Sequence, residues 1–172
     1  MHVLFVCTGN ICRSPTAERL ALAFAEEASI RNFSASSAGT RAVVGHPIES
    51  TAADVLEGLG GDPTDFRARL FTKSIAAEVD LILTMTERHR DQVLTLAPAQ
   101  FKRTFTLREA ARLAGASDAT TVAELAAARP RFRTREIEDV IDPMGKDSNT
   151  FHAVGNEIAT LLTPAILRLA TG

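Results

Sequence analysis

The chain has 172 residues, 45% of them hydrophobic and 23% charged, and a formal net charge of −2 from 19 basic and 21 acidic side chains. That length and apolar content suit one domain with a core large enough to fold unaided. The near-neutral balance supplies no field for nucleic acid or an anionic membrane, and no apolar run approaches the ~20 residues of a membrane span.

In chain order, Val3 to Val6 is a short apolar run that reads as a buried strand. Ser14-Pro15 then opens a helix, with Pro15 at the first helical position, and Thr16 to about Ser29 carries Leu20, Ala23 and Phe24 at helical spacing. Phe33 to Ala38 reads as a second strand ending at Gly39. Pro47 to about Leu59 reads as a helix stopped by Gly60-Gly61. Val79 to Met85 is nearly all apolar, as in the middle of a parallel sheet. Thr86 to about Leu96 is expected to be helical, and Phe101 to Phe105 a fourth strand. Leu107 to Leu113 and Val122 to Ala128 read as short helices. Phe151, Val154, Ile158, Leu161, Ala165 and Leu169 recur at three- and four-residue steps, the apolar side of a closing helix. Such alternation predicts an α/β domain, a parallel sheet covered by helices on both faces with right-handed crossovers. Ligands on such sheets bind beyond the strand C-termini.

Cys7-Thr8-Gly9-Asn10-Ile11-Cys12-Arg13-Ser14 lies at such a place, between the first strand and its helix. A turn ahead of a helix N-terminus points several backbone N–H groups into one concavity, which suits an oxyanion. The same field favours a thiolate at Cys7. Arg13 adds a planar fork matched to phosphate oxygens. A lone Cys7 would read as a small buried side chain; with Gly9, Arg13 and Ser14-Pro15 it reads as a nucleophile aimed at phosphorus. Phosphoryl transfer from an ester leaves an oxyanion that needs a proton, and Asp142, in Asp142-Pro143, is the candidate acid. Asp139 is its competitor, read as a solvated carboxylate. The cysteines form no disulfide framework, and a reactive thiol suits a reducing, cytoplasmic compartment, as does an N-terminus unlike a signal peptide. His2, His46, His89 and His152 are scattered, each expected at the surface, and neither a metal nor a cofactor is expected.

The stretch Val6 to Pro15 resembles the active-site loop of the low-molecular-weight protein tyrosine phosphatases. The likeness continues through Thr16-Ala17-Glu18, Ser37-Ala38-Gly39-Thr40, Leu83-Thr84-Met85-Thr86 and Asp142-Pro143, most of the chain. The resemblance implies a four-stranded, flavodoxin-like sheet within a single domain over 1–172. It implies phosphotyrosine hydrolysis through a phosphocysteine, on a phosphotyrosine protein or a small aryl phosphate, by a monomer or weak dimer. Cys7 would be the nucleophile, Arg13 would bind phosphate with the loop Thr8, Gly9, Asn10, Ile11, Cys12, Arg13 and Ser14, and Asp142 would be the acid and base. Asn10 would hold the loop shape, Ser14 would help the thiolate leave, and Ser37 would join that network. Cys12 would form a protective disulfide with Cys7.

Departures from the family bear on substrate. There is no Tyr or Trp, and Met144-Gly145 follows the Asp-Pro pair where the family places aromatics. Arg41-Ala42-Val43-Val44 lacks another, so stacking worth roughly 0.5–1.5 kcal/mol is missing. Phe66 stands where many members carry a histidine that supports the loop. Ile11 favours an aryl phosphate, since relatives acting on phosphoarginine carry threonine there. A helical and basic insertion at about 107–135 ends in Arg129-Pro130-Arg131-Phe132-Arg133-Thr134-Arg135, which reads as a solvated loop or as a basic rim for acidic phosphopeptides. Protein arginine phosphatase is one rival reading. Arsenate reductase using an external thiol is another, because no cysteine follows Cys12 for an internal relay.

Overall fold

In a computed structural model of the chain, residues 1–171 are described; Gly172, the last residue of the expected domain, lies outside them. β1 (His2–Cys7), β2 (Ser34–Gly39), β3 (Leu81–Thr84) and β4 (Thr104–Thr106) form one sheet in the order β2-β1-β3-β4, with every pairing parallel. The four-stranded parallel sheet expected from the sequence is therefore present.

Strand alternation sorts β1 onto two cores. Val3, Phe5 and Cys7 face α1 (Arg13–Glu27), α2 (Ser50–Gly58), α5 (Leu107–Ala116), α6 (Val122–Ala128) and α7 (Ser148–Thr171). Leu4 and Val6 face α3 (Lys73–Ala77) and α4 (Glu87–Leu96) with Phe71, Ile82 and Val93. Val3, Leu4, Phe5 and Val6 are fully buried, and each such side chain contributes roughly 1.5–3 kcal/mol. β1 is thus the central rail of the fold, and Cys7 is its last residue.

Several expected boundaries move for identifiable reasons. Cys12 is the N-cap of α1, so Pro15 is its third residue rather than its first. Its missing N–H still falls among the orphan donors of the first turn. Ser29, at φ 54°, ends the helix region as Ile30 N bonds Ala25 O at 2.8 Å. α2 starts at Ser50, not Pro47, because the Glu49 carboxylate caps Ala52 N at 2.9 Å. The fourth strand is not Phe101–Phe105. Pro98 opens a 3-10 turn over Pro98–Arg103 that leaves Phe101 60% exposed, and only Thr104–Thr106 pairs with β3. α3, a single turn capped by Thr72, is too short to leave a periodic signal.

Candidate active site

The loop between β1 and α1 turns its carbonyls outward. Thr40 N, Arg41 N, Val43 N and Glu49 N donate to the carbonyls of Cys7, Thr8, Gly9 and Ile11 at 2.7–3.0 Å. In a trans peptide the N–H points opposite to the C=O, so the amides of residues 8, 9, 10 and 12 face the other way, inward. Gly39 makes this strapping possible: a Cβ there would lie 2.4 Å from Thr8 O.

Asn10 holds the loop from below. It is fully buried and sits at φ 56°, a left-handed conformation that asparagine tolerates better than most residues. Its amide donates to Ser14 Oγ at 2.9 Å and to Ser37 Oγ at 2.8 Å, while its carbonyl accepts from Arg69 N at 2.8 Å. The Ser37 hydroxyl donates a hydrogen bond to Glu18 Oε2 at 2.6 Å. Burial pushes the Glu18 carboxyl above its usual range, against the pull of that hydrogen bond. Ser14 Oγ lies 2.9 Å from Cys7 Sγ. Because Asn10 can only donate to it, the Ser14 hydroxyl keeps its proton free for the sulfur.

Arg13 is buried, 4% exposed, at the start of α1. Its Nη1 donates to Val140 O at 3.0 Å and its Nη2 to Asp142 Oδ2 at 2.7 Å. A guanidinium has five N–H donors, so three remain for an oxyanion, Nε–H among them. The Asp142 side chain is half exposed. Cys7, Thr8, Gly9, Ile11, Cys12, Arg13 and Asp142 all line one cavity of about 260 Å³, joined by Arg41, Val43 and Met144. Asn10, Ser14 and Ser37 form the buried network behind it. The geometry thus collects a thiol, a guanidinium, inward-facing amides and a carboxyl around one small space, which suits in-line attack on a bound phosphate monoester.

Cys12 is buried, and burial together with the neighbouring Cys7 pushes its thiol up to about 12. Both cysteines are free. Among the described residues no group of three or more His, Cys, Asp or Glu side chains is arranged to hold a metal ion.

The histidine expectation needs correction. His46 and His152 are exposed and His2 is half-buried, but His89 is buried at 4% exposure. Its Nε2 lies 2.8 Å from Thr8 Oγ1 and its Nδ1 2.9 Å from Thr86 Oγ1. Burial, helped by Arg13, lowers it to about 4, so the ring is neutral at physiological pH. Sequence reasoning missed it because a histidine three residues inside a polar helix start resembles any surface histidine. Asp139 is likewise no solvated carboxylate: it is half-buried and accepts Glu87 N at 2.7 Å, at the head of α4. Glu18 and Arg41 were also missed as site residues, although Glu18 stood within a matching motif. Phe66 is buried, and the loop network closes on Glu18 instead of a histidine.

The arginine run divides. Arg129 pairs with Glu109 at 2.8 Å and stacks over Phe105, 3.8 Å from the ring centre, so it is a packing residue rather than part of a rim. Arg131, Arg133 and Arg135 are exposed. Arg133 lines a separate crevice of about 420 Å³ that reaches Glu87.

A family model described as low molecular weight phosphotyrosine protein phosphatase matches residues 2–119, ending before Asp142. The Escherichia coli (strain K12) low molecular weight protein-tyrosine-phosphatase Etp is 41% identical over 96 residues, 56% of this chain and 62% of its own length. The chain therefore spans about three-fifths of that relative. The low molecular weight protein tyrosine phosphatase of T. tengcongensis superposes with TM-score 0.77 at 29% identity, covering 95% of this chain and 96% of that one. A cysteine-to-serine mutant of the arginine phosphatase YwlE, with its active-site serine phosphorylated, also gives TM-score 0.77, at 26% identity over 99% of this chain and 94% of that one. Among the described residues no helix is long and apolar enough to cross a membrane.

Proposed function

Since this chain belongs to the low molecular weight phosphotyrosine protein phosphatase family, we propose that it hydrolyses aryl phosphate monoesters, phosphotyrosine in a protein among them, through a phosphocysteine. The observation that carries this reading is the Cys7 sulfur, met by a free Ser14 proton at the floor of the cavity that Arg13 and Asp142 share. Arg13 and the inward amides bind the phosphate dianion. The Cys7 thiolate attacks phosphorus as the aryl–oxygen to phosphorus bond breaks, and Asp142 protonates the leaving phenolate. Asp142, now a carboxylate, takes a proton from water as that water attacks the phosphocysteine. Ser14 stabilises the departing thiolate, and release of hydrogen phosphate leaves Cys7 a thiolate and Asp142 protonated again, ready for the next turnover. The phosphorylated active-site serine of the YwlE cysteine-to-serine mutant supports attack on phosphorus by the residue at this place in the loop. Two free thiols, one of them the nucleophile, fit a reducing, cytoplasmic compartment. The single α/β domain is consistent with reading the 107–135 stretch as an insertion within it.

The walls favour an aryl ester. Ile11, Val43 and Met144 present aliphatic surface to the leaving group, and a planar ring packs against them without needing a polar partner. The structural match to YwlE keeps phosphoarginine as the second reading, with Asp142 then facing a guanidinium rather than a phenol. One panel tests both: phosphotyrosine, phosphoserine and phosphoarginine peptides, plus arsenate with a small thiol. Turnover of phosphotyrosine that disappears in Cys7→Ser is expected. Preferred turnover of phosphoarginine, or thiol-dependent arsenate reduction, overturns the aryl assignment.

A further inference from the structure

We infer that the head of α4 is the spacer that sets the acid Asp142 against the nucleophile Cys7, with His89 and Asp139 as positioning residues on its two sides. The inference rests on the phosphatase reading above.

The two reacting groups come from segments 135 residues apart in sequence, and the β3–α4 junction touches both. On the nucleophile side, His89 bridges Thr86 Oγ1 and the hydroxyl of Thr8, the residue that follows Cys7. Thr86 Oγ1 is itself held in place by capping His89 N at 3.1 Å. On the acid side, Glu87 N donates to Asp139 at 2.7 Å and Val140 N donates to Met85 O at 2.8 Å. Met85 and Glu87 thus grip the acid loop, and Thr86 between them grips the phosphate loop through His89. A neutral imidazole suits this task, because one ring nitrogen donates while the other accepts, so it can hold two hydroxyls at once. Burial keeps the ring in that form.

Without this spacer, among the hydrogen bonds of the described residues, Arg13 alone would tie the Asp142 loop to the phosphate loop. Arg13 must also grip the substrate, so it cannot serve as a fixed strut. A displacement of about 1 Å between reacting groups costs on the order of 10²-fold in rate. A misplaced acid is felt most where the leaving group depends on protonation.

The test compares phenyl phosphate, a poor leaving group, with p-nitrophenyl phosphate, a good one, in His89→Leu and Asp139→Ala. Expected is a fall in kcat/KM of about 10–100-fold for phenyl phosphate, against less than about 3-fold for the nitrophenyl ester. Inhibition by inorganic phosphate should stay at the wild-type level in Asp139→Ala, which leaves Arg13 and the contacts of the phosphate loop in place. Asp139→Asn keeps an oxygen acceptor for Glu87 N and should recover most of the loss. Adding His89→Leu to Asp142→Ala should steepen the leaving-group dependence no further. Equal losses on both esters, or losses that multiply with Asp142→Ala, overturn the proposal. Should His89→Leu fail to fold, Asp139→Ala and its asparagine rescue decide the matter. A wild-type protein inert to both esters would instead fail the phosphatase reading, whereas wild-type turnover with uniform losses overturns the spacer alone.

Discussion

Arg13 Nη2 and Asp142 Oδ2 are 2.7 Å apart, so the proposed phosphate-binding cation and the proposed acid form one ion pair across the cavity. The pair straddles a boundary, with the Arg13 side chain 4% exposed and that of Asp142 49% exposed.

That asymmetry predicts different outcomes on its two sides. Asp142→Asn leaves the buried cation in place and removes the proton source. Turnover of phenyl phosphate should fall by about 10²–10⁴-fold with inhibition by phosphate little changed. Arg13→Lys loses the planar fork and its bond to Val140 O, so both turnover and phosphate affinity should drop. Steady-state kinetics with phosphate as inhibitor separates the two, and an Asp142→Asn enzyme of normal rate would refute the acid role.

Gly39→Ala should damage the site from outside it. The new Cβ meets Thr8 O at 2.4 Å and the Cβ atoms of Asn10 and Ala42 at 3.0 Å. Expected are a loss of about 1–3 kcal/mol in urea unfolding and slower turnover as the loop shifts. Gly58→Ala, at the end of α2 with nothing within 4 Å of its Cβ, is the control and should stabilise by up to about 1 kcal/mol.

His89 gives the stability a pH dependence. Its folded value of about 4 lies below the ordinary 6.5, so between those pH values the unfolded chain binds the extra proton. Stability from this group is complete above pH 6.5 and is lost as pH falls through 6.5 towards 4, by about 3 kcal/mol at most. Urea unfolding across that window should show the slope in the wild type and a flatter one in His89→Gln. Identical slopes would assign the acid sensitivity elsewhere.

Cys12, pushed up to about 12, should remain a thiol throughout the neutral range. Iodoacetamide at pH 7–8 is expected to alkylate Cys7 and spare Cys12. Mild peroxide converts the Cys7 thiolate to a sulfenic acid, which the Cys12 thiol then closes to a disulfide with release of water. Sulfinic acid on Cys7 with no Cys7–Cys12 bridge, seen by mass spectrometry, would refute the protective role.

The parallel sheet was legible because β1 and β3 are continuous apolar runs and α7 repeats its apolar residues every third or fourth position. The strand–turn–helix placement of Cys7 to Ser14 was legible because these residues are consecutive, and the proposed phosphate cradle follows from their local spacing. β4 was misread because Phe101, an aromatic next to a strand, signals burial in sequence yet stands exposed on a 3-10 turn. Within the arginine run only Arg129 departs from the solvated reading, since the partners that bury it lie 20 or more residues away, at Glu109 and Phe105, while Arg131, Arg133 and Arg135 are exposed.

The sequence by itself marked the candidate nucleophile, the candidate phosphate-binding cation and the end of the sheet at which they lie, because periodicity and adjacency are properties of the chain. Only the tertiary structure decided how Asp142 is held to Arg13, that Asn10 closes its network on Glu18, and that His89 and Asp139 flank one helix head. Those contacts join residues 19 to 129 positions apart, and the pairing of polar groups across such loops is set by which elements pack together. No single segment carries that information.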